Sequence, residues 1–166
     1  MTLLVAAIAA TVAAIVELTI TPLLRVGDAQ PHIVFVLAVV WTVAIGLDSG
    51  LVWAFVGGLV LDTLAQRPLG TTAFALLIVV GATALISRAL ARIKPVVAII
   101  ATLLLSLVYS MTLVALFSVL RPSQTLADPL PIVAPGVLYD VIVAAIVGPL
   151  AVSIRDRFVD EERAPR

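Results

Sequence analysis

Three carboxylates lie where the surrounding sequence is almost entirely hydrocarbon: Glu17, Asp62 and Asp140. An acid embedded in an apolar run can relay protons, bind a polar ligand, hold a cation or cap a neighbouring helix. Asp62 is the most informative of the three. It falls within "GGLVLDTLAQRPLG" (57–70), followed at once by Arg67 and a Pro68-Leu69-Gly70 turn. A charge inside a membrane helix costs about 2.5–3.5 kcal/mol on insertion scales, so it turns towards protein or water and takes a partner. Two readings of Asp62 follow: a binding or relay carboxylate, and a structural group that pairs with a cation or caps the next turn. Direct pairing with Arg67 needs the helix to end by about Gln66, because residues five apart lie about 140° apart on an ideal helix. Pro68 favours that ending, since the residue before a proline is pushed out of helical geometry.

The remaining chemistry is sparse. The chain has one His and no Cys, which excludes thiolate metal sites and disulfides and leaves no paired His ligands. There is no HExxH, no Ser/His/Asp set and no glycine-rich phosphate loop. No catalytic residues, metal or cofactor are expected, and the chain is expected not to be an enzyme. Ten basic and ten acidic residues cancel, so no basic footprint for nucleic acid exists.

The elements that position these acids must be membrane helices. Hydrophobic residues make up 63% of the 166 residues and charged ones 12%, with mean hydropathy +1.25; soluble domains run nearer half apolar and a quarter charged. Spans of roughly 20 residues are expected at 3–21, 32–47, 50–66, 70–91, 96–120 and 133–154, an all-α bundle of about six transmembrane helices. The second and third are short and could form a hairpin that does not fully cross. Pro22, Pro31, a turn at Asp48-Ser49-Gly50, Pro68 with Gly70, Lys94-Pro95 and a long loop over 121–136 separate the spans. The first run lacks a basic leader region and reads as a span rather than a signal peptide. Residues 1–154 form the membrane domain, and 155–166 form a short charged tail, read as a solvated helix end. Basic residues set the orientation: seven (Arg88, Arg92, Lys94, Arg155, Arg157, Arg163, Arg166) fall on the side of the termini, against Arg25, Arg67 and Arg121 on the other. Both termini are therefore expected in the cytoplasm. The three acids then share the outer half of the membrane, with Asp140 about 10 Å deep.

Small residues mark the seams. Gly50, Ala54, Gly58 and Asp62 recur every fourth residue and line one stripe of the third helix, so Asp62 points into a helix–helix contact. Ala6, Ala10 and Ala14 form a ladder on the first helix, read as a docking face or as filler. These residues, with Glu17, Arg67, Pro68, Gly70 and Asp140, are the structural or partner-binding candidates. Thr102, Ser106 and Ser110 line one stripe of the fifth span, near Tyr109 and Thr112; such hydroxyls commonly bond back to their own backbone. His32 is read as interfacial, and Trp41 and Trp53 lie too deep to anchor at the membrane surface.

Pro31, an apolar hairpin and then "GGLVLDTLAQRPLGTTAF" resemble the rod shape-determining MreD family, and the resemblance covers nearly the whole chain. An acid or amide is expected after Pro31 in that family, where this chain has His32. The resemblance implies a non-enzymatic multi-pass component of the bacterial cytoplasmic membrane. It would work with an MreC-like single-span protein, the MreB filament, a RodA-type glycosyltransferase and a penicillin-binding transpeptidase in lateral peptidoglycan synthesis, and could form a homodimer. A second resemblance, to the substrate-capture component of energy-coupling-factor vitamin transporters, implies ligand binding at Asp62 and its neighbours. Two Trp, two Tyr and five Phe are few for a vitamin pocket.

Overall fold

The computed structural model describes the backbone of residues 2–24, 30–89, 94–120 and 130–163, with side chains described over 2–24, 30–89, 99–120 and 133–149. Among these residues the chain is all-helical. It runs α1 (Thr2–Ile20), a short 3-10 turn (Thr21–Leu23), α2 (Ile33–Ala44), α3 (Leu47–Leu64), α4 (Thr71–Ala89), α5 (Lys94–Leu120) and α6 (Leu130–Arg163). Four stretches are long and apolar enough to cross a membrane: Thr2–Leu23, Leu47–Leu64, Thr71–Ala89 and Ile99–Leu120. Ile33–Ala44 is a shorter apolar helix, and the apolar residues Val133–Pro149 lie within the longer α6.

The second helix departs most from expectation. Its 12 residues span only about 18 Å at 1.5 Å per residue. It packs against α1, α3, α4, α5 and α6 and forms the axis of the bundle. Its sequence, IVFVLAVVWTVA, is apolar on every side, and a helix this short cannot span on its own, so its ends need acceptors and donors from neighbouring helices. Val34, Phe35, Val36, Ala38 and Val39 are fully buried, and Tyr109 of α5 stacks on Phe35 at 4.9 Å. Trp53 is buried, stacks against Trp41 at 4.9 Å and donates its indole N–H to the Val34 carbonyl at 3.2 Å. Its place in the core explains why it lies too deep for the surface.

Two boundaries move. The α2–α3 turn is made by Ile45-Gly46, not by Asp48-Ser49-Gly50, which instead forms the start of α3. Gly46 has φ 129°, a conformation open to glycine, and its carbonyl accepts the Gly50 N–H at 3.1 Å to open the helix. The expected loop over 121–136 is shorter than its prolines suggest, because α6 begins at Leu130. Pro131 sits in its first turn, where a missing N–H removes no helical bond; Pro135 and Pro149 lie inside the helix. Residues 121–129 lie outside the described residues. The α6 backbone continues into the charged tail as far as Arg163.

The small-residue ladders are used inside this chain. Ala6, Ala10 and Ala14 are fully buried, while Leu4, Ile8, Val12 and Ile15 on the other face of α1 are exposed. A Cβ added at Gly57 would lie 3.4 Å from the Ala10 Cβ, which places the alanine ladder in the α1–α3 seam. Gly50 faces Thr42 and Val80, and Gly58 faces the backbone of Ala73 so closely that no Cβ fits. Ala54 is buried in the same stripe. Close backbone approach is what such stripes permit. Here it draws α3 against α4.

Candidate functional site

Each of the three embedded acids is buried and each ends on the N-terminus of another helix. The first N–H groups of a helix have no partner within it, and the aligned peptide dipoles favour negative charge there. In water solvent would fill that need. Inside a lipid-embedded bundle the chain must do so itself.

Asp62 lies four residues after Gly58, on the same face. Where Gly58 brings the backbones together, Asp62 reaches the first turn of α4. Both carboxylate oxygens lie 3.1 Å from the Thr72 nitrogen and accept its N–H. The Thr71 hydroxyl is within donating distance of Asp62 Oδ1 (3.1 Å) and of the Pro68 carbonyl (2.8 Å). The intervening turn is closed by a paired motif. The Arg67 N–H bonds the Asp62 carbonyl at 2.9 Å, and the Gln66 N–H bonds the Thr63 carbonyl at 3.4 Å. Gln66 takes the left-handed φ of 53° that such a helix ending requires. Gly70, at φ 90°, then starts α4 by accepting the Phe74 N–H at 2.8 Å. Pro68 and Gly70 thus set the turn, and Asp62 fastens it.

The expected Asp62–Arg67 ion pair does not form among the described residues. Arg67 meets Asp62 through its main chain, while its guanidinium lies over the Phe117 ring, 5.9 Å from the centroid. The helix ends by Gln66 as the pairing required, but the resulting turn carries the side chain away. The capping alternative is the arrangement found.

Glu17 and Asp140 converge on α2. Glu17 Oε2 accepts the Val34 N–H at 2.6 Å. Asp140 Oδ1 accepts the His32 N–H at 2.8 Å, and its Oδ2 lies 3.1 Å from His32 Nδ1 and accepts the Ser106 hydroxyl. A short helix at the centre of the bundle is therefore held at its start by α1, α5 and α6. His32 is more than an interfacial residue: it precedes the first residue of α2, and Tyr109 meets its ring edge-on at 5.3 Å.

The hydroxyl stripe of α5 divides. Ser106 serves Asp140, Thr112 bonds back to the Val108 carbonyl at 2.7 Å, and the buried Thr102 hydroxyl has no partner among the described residues. Sequence reasoning missed Thr71, Thr72, Ser106 and the main chain of Val34 as partners of the acids. The one available signal was the Gly-Thr-Thr directly after Pro-Leu, a helix start within reach of an acid that had no cation at helical spacing.

His32 and Arg67 also line a pocket of about 170 Å³, together with Ser110, Phe117, Val133 and Gly136 among others. Among the described residues no group of three or more His, Cys, Asp or Glu could hold a metal ion. Arg25, Arg92, Arg121 and the side chains of the tail lie outside the described residues.

A family model described as rod shape-determining protein MreD matches residues 1–152. Comparisons with curated proteins and with solved structures give no match. The match spans α1 to most of α6, including the Gly58–Asp62–Gly70 turn and both acids at the start of α2. The chain belongs to the MreD family of rod shape-determining membrane proteins.

Proposed function

We propose that this protein is a non-catalytic scaffold of the cell-elongation machinery, binding an MreC-like single-span protein and so helping to position peptidoglycan synthases. The observation that carries the reading, beside the family, is the use made of the embedded acids. Glu17, Asp62 and Asp140 are each committed to a helix N-terminus within the chain, which supports a rigid bundle rather than a carboxylate poised for transport or chemistry. The protein would sit in the bacterial cytoplasmic membrane with both termini inside. The α3–α4 turn then faces outwards, on the side where the large domain of such a partner would stand. The layout put forward is a six-helix bundle like that of vitamin-capture subunits, with α2 as its buried axis.

Affinity purification in mild detergent tests this. Co-elution of a single-span protein with a large outer domain supports the scaffold. Co-elution of ABC-type ATPases instead would overturn it in favour of substrate capture.

A further inference from the structure

The pocket beside His32 lies at the end of the bundle where α3 and α5 finish and α4 and α6 begin. Its lining is divided by chemistry. Arg67, His32, Ser110 and Gln30 supply polar groups, while Leu113, Val114, Phe117 and Val133 supply apolar walls. Arg67 is half-buried and, among the described residues, makes no ion pair; the one described pair is His32 with Asp140. Its guanidinium stands over Phe117 at this end of the bundle, with N–H donors and no acceptor of its own. Among the described residues no carboxylate oxygen bonds that guanidinium. Asp140 is fully buried with its oxygens taken by His32 and Ser106, and Glu17 is taken by Val34. His32 turns Nδ1 to Asp140, which leaves Nε2 as the ring nitrogen available to the pocket.

We propose that this pocket is an anion site that takes a phosphate group, carried by an anionic lipid headgroup or free in solution. Size narrows the ligand. The pocket volume is about 170 Å³. That accommodates a phosphate and its first carbons, whereas drug-sized ligands occupy pockets of about 300–1,000 Å³. Arg67 supplies the planar donor fork suited to phosphate oxygens, and Ser110 supplies a hydroxyl donor. The apolar walls suit the glycerol and upper acyl carbons of a lipid entering from the membrane.

The test is native mass spectrometry of the full chain released from micelles containing phosphatidylglycerol, phosphatidylcholine or inorganic phosphate. One phosphatidylglycerol per chain should be retained under activation that strips phosphatidylcholine. Arg67→Gln should lower the retained fraction by a factor of about five to ten, as the loss of one charge-assisted contact predicts, while Arg67→Lys, which keeps the charge but not the fork, should fall between the two. Val114→Trp, which fills the pocket and leaves Arg67 in place, should lower it similarly. Displacement of the lipid by millimolar inorganic phosphate identifies the free ion as the occupant, and retention against it identifies the headgroup. The proposal is overturned if the Val114→Trp protein and a folded Arg67→Gln protein, both with wild-type melting temperatures, keep phosphatidylglycerol as the wild type does. Failure of wild-type protein to hold either probe overturns it as well.

Discussion

Both carboxylate oxygens of Asp62 lie 3.1 Å from the amide nitrogen of Thr72, so the last turn of α3 closes the first turn of α4. The acid that breaks an otherwise apolar run does so because the next helix needs an acceptor at its start. The relationship is local in sequence and independent of any outside ligand.

Asp62→Leu leaves the buried Thr72 N–H without a partner and should cost about 2–3 kcal/mol, read as a lower melting temperature in detergent. Adding Arg67→Leu should recover none of it. The two effects should add to within about 0.5 kcal/mol, as for residues that share no side-chain contact. Recovery of most of the loss in the double variant would show an ion pair and contradict the cap.

Two glycines offer a matched contrast. Gly58→Ala forces a methyl into the backbone of Ala73 and should destabilise by about 1–3 kcal/mol. Gly81, within α4, has nothing near the position of an added Cβ, so Gly81→Ala should stabilise by about 0.5–1 kcal/mol through helix propensity alone. Thermal unfolding of both variants decides the matter: equal effects would mean that the α3–α4 seam is not close-packed.

At the start of α2, Ser106→Ala removes one donor from Asp140 and should cost about 1 kcal/mol. Asp140→Leu also leaves the His32 N–H unmet and should cost more, about 3 kcal/mol or above. Because the two residues share one bond, their double variant should depart from additivity by at least about 0.5 kcal/mol. Strict additivity would separate Ser106 from the carboxylate.

Orientation is open to cysteine labelling. Leu69 is exposed in the α3–α4 turn, and Leu69→Cys should react with an impermeant thiol reagent in intact cells. Ala164→Cys, in the tail, should react only after permeabilisation. The reversed pattern would place the turn and the pocket beside it on the cytoplasmic side.

The all-helical class was plain from hydropathy, because each span has to satisfy its own backbone within lipid. The Gly50–Asp62 stripe was also legible, since a fourfold spacing of small residues has few other uses. Three things were hidden. The axial position of α2 follows from contacts with five other helices, and its sequence says only that it is apolar on all sides. The role of His32 depends on Asp140, 108 residues away, and no local pattern links them. The Arg67 side chain could not be placed from spacing, because the left-handed Gln66 turns the chain after the helix ends.

The attachment of α2 by Asp140 has a consequence for how the protein is made. The second helix leaves the ribosome early, yet the acceptor for the His32 N–H that precedes it resides on the last helix. At about 18 Å, α2 is too short to cross about 30 Å of hydrocarbon as a self-sufficient segment. A nascent chain that ends before α6 therefore keeps the Glu17 cap on Val34 but leaves the His32 N–H unmet and one side of the apolar axis uncovered. A chain truncated before Asp140 should therefore be less stable in the membrane than the full chain.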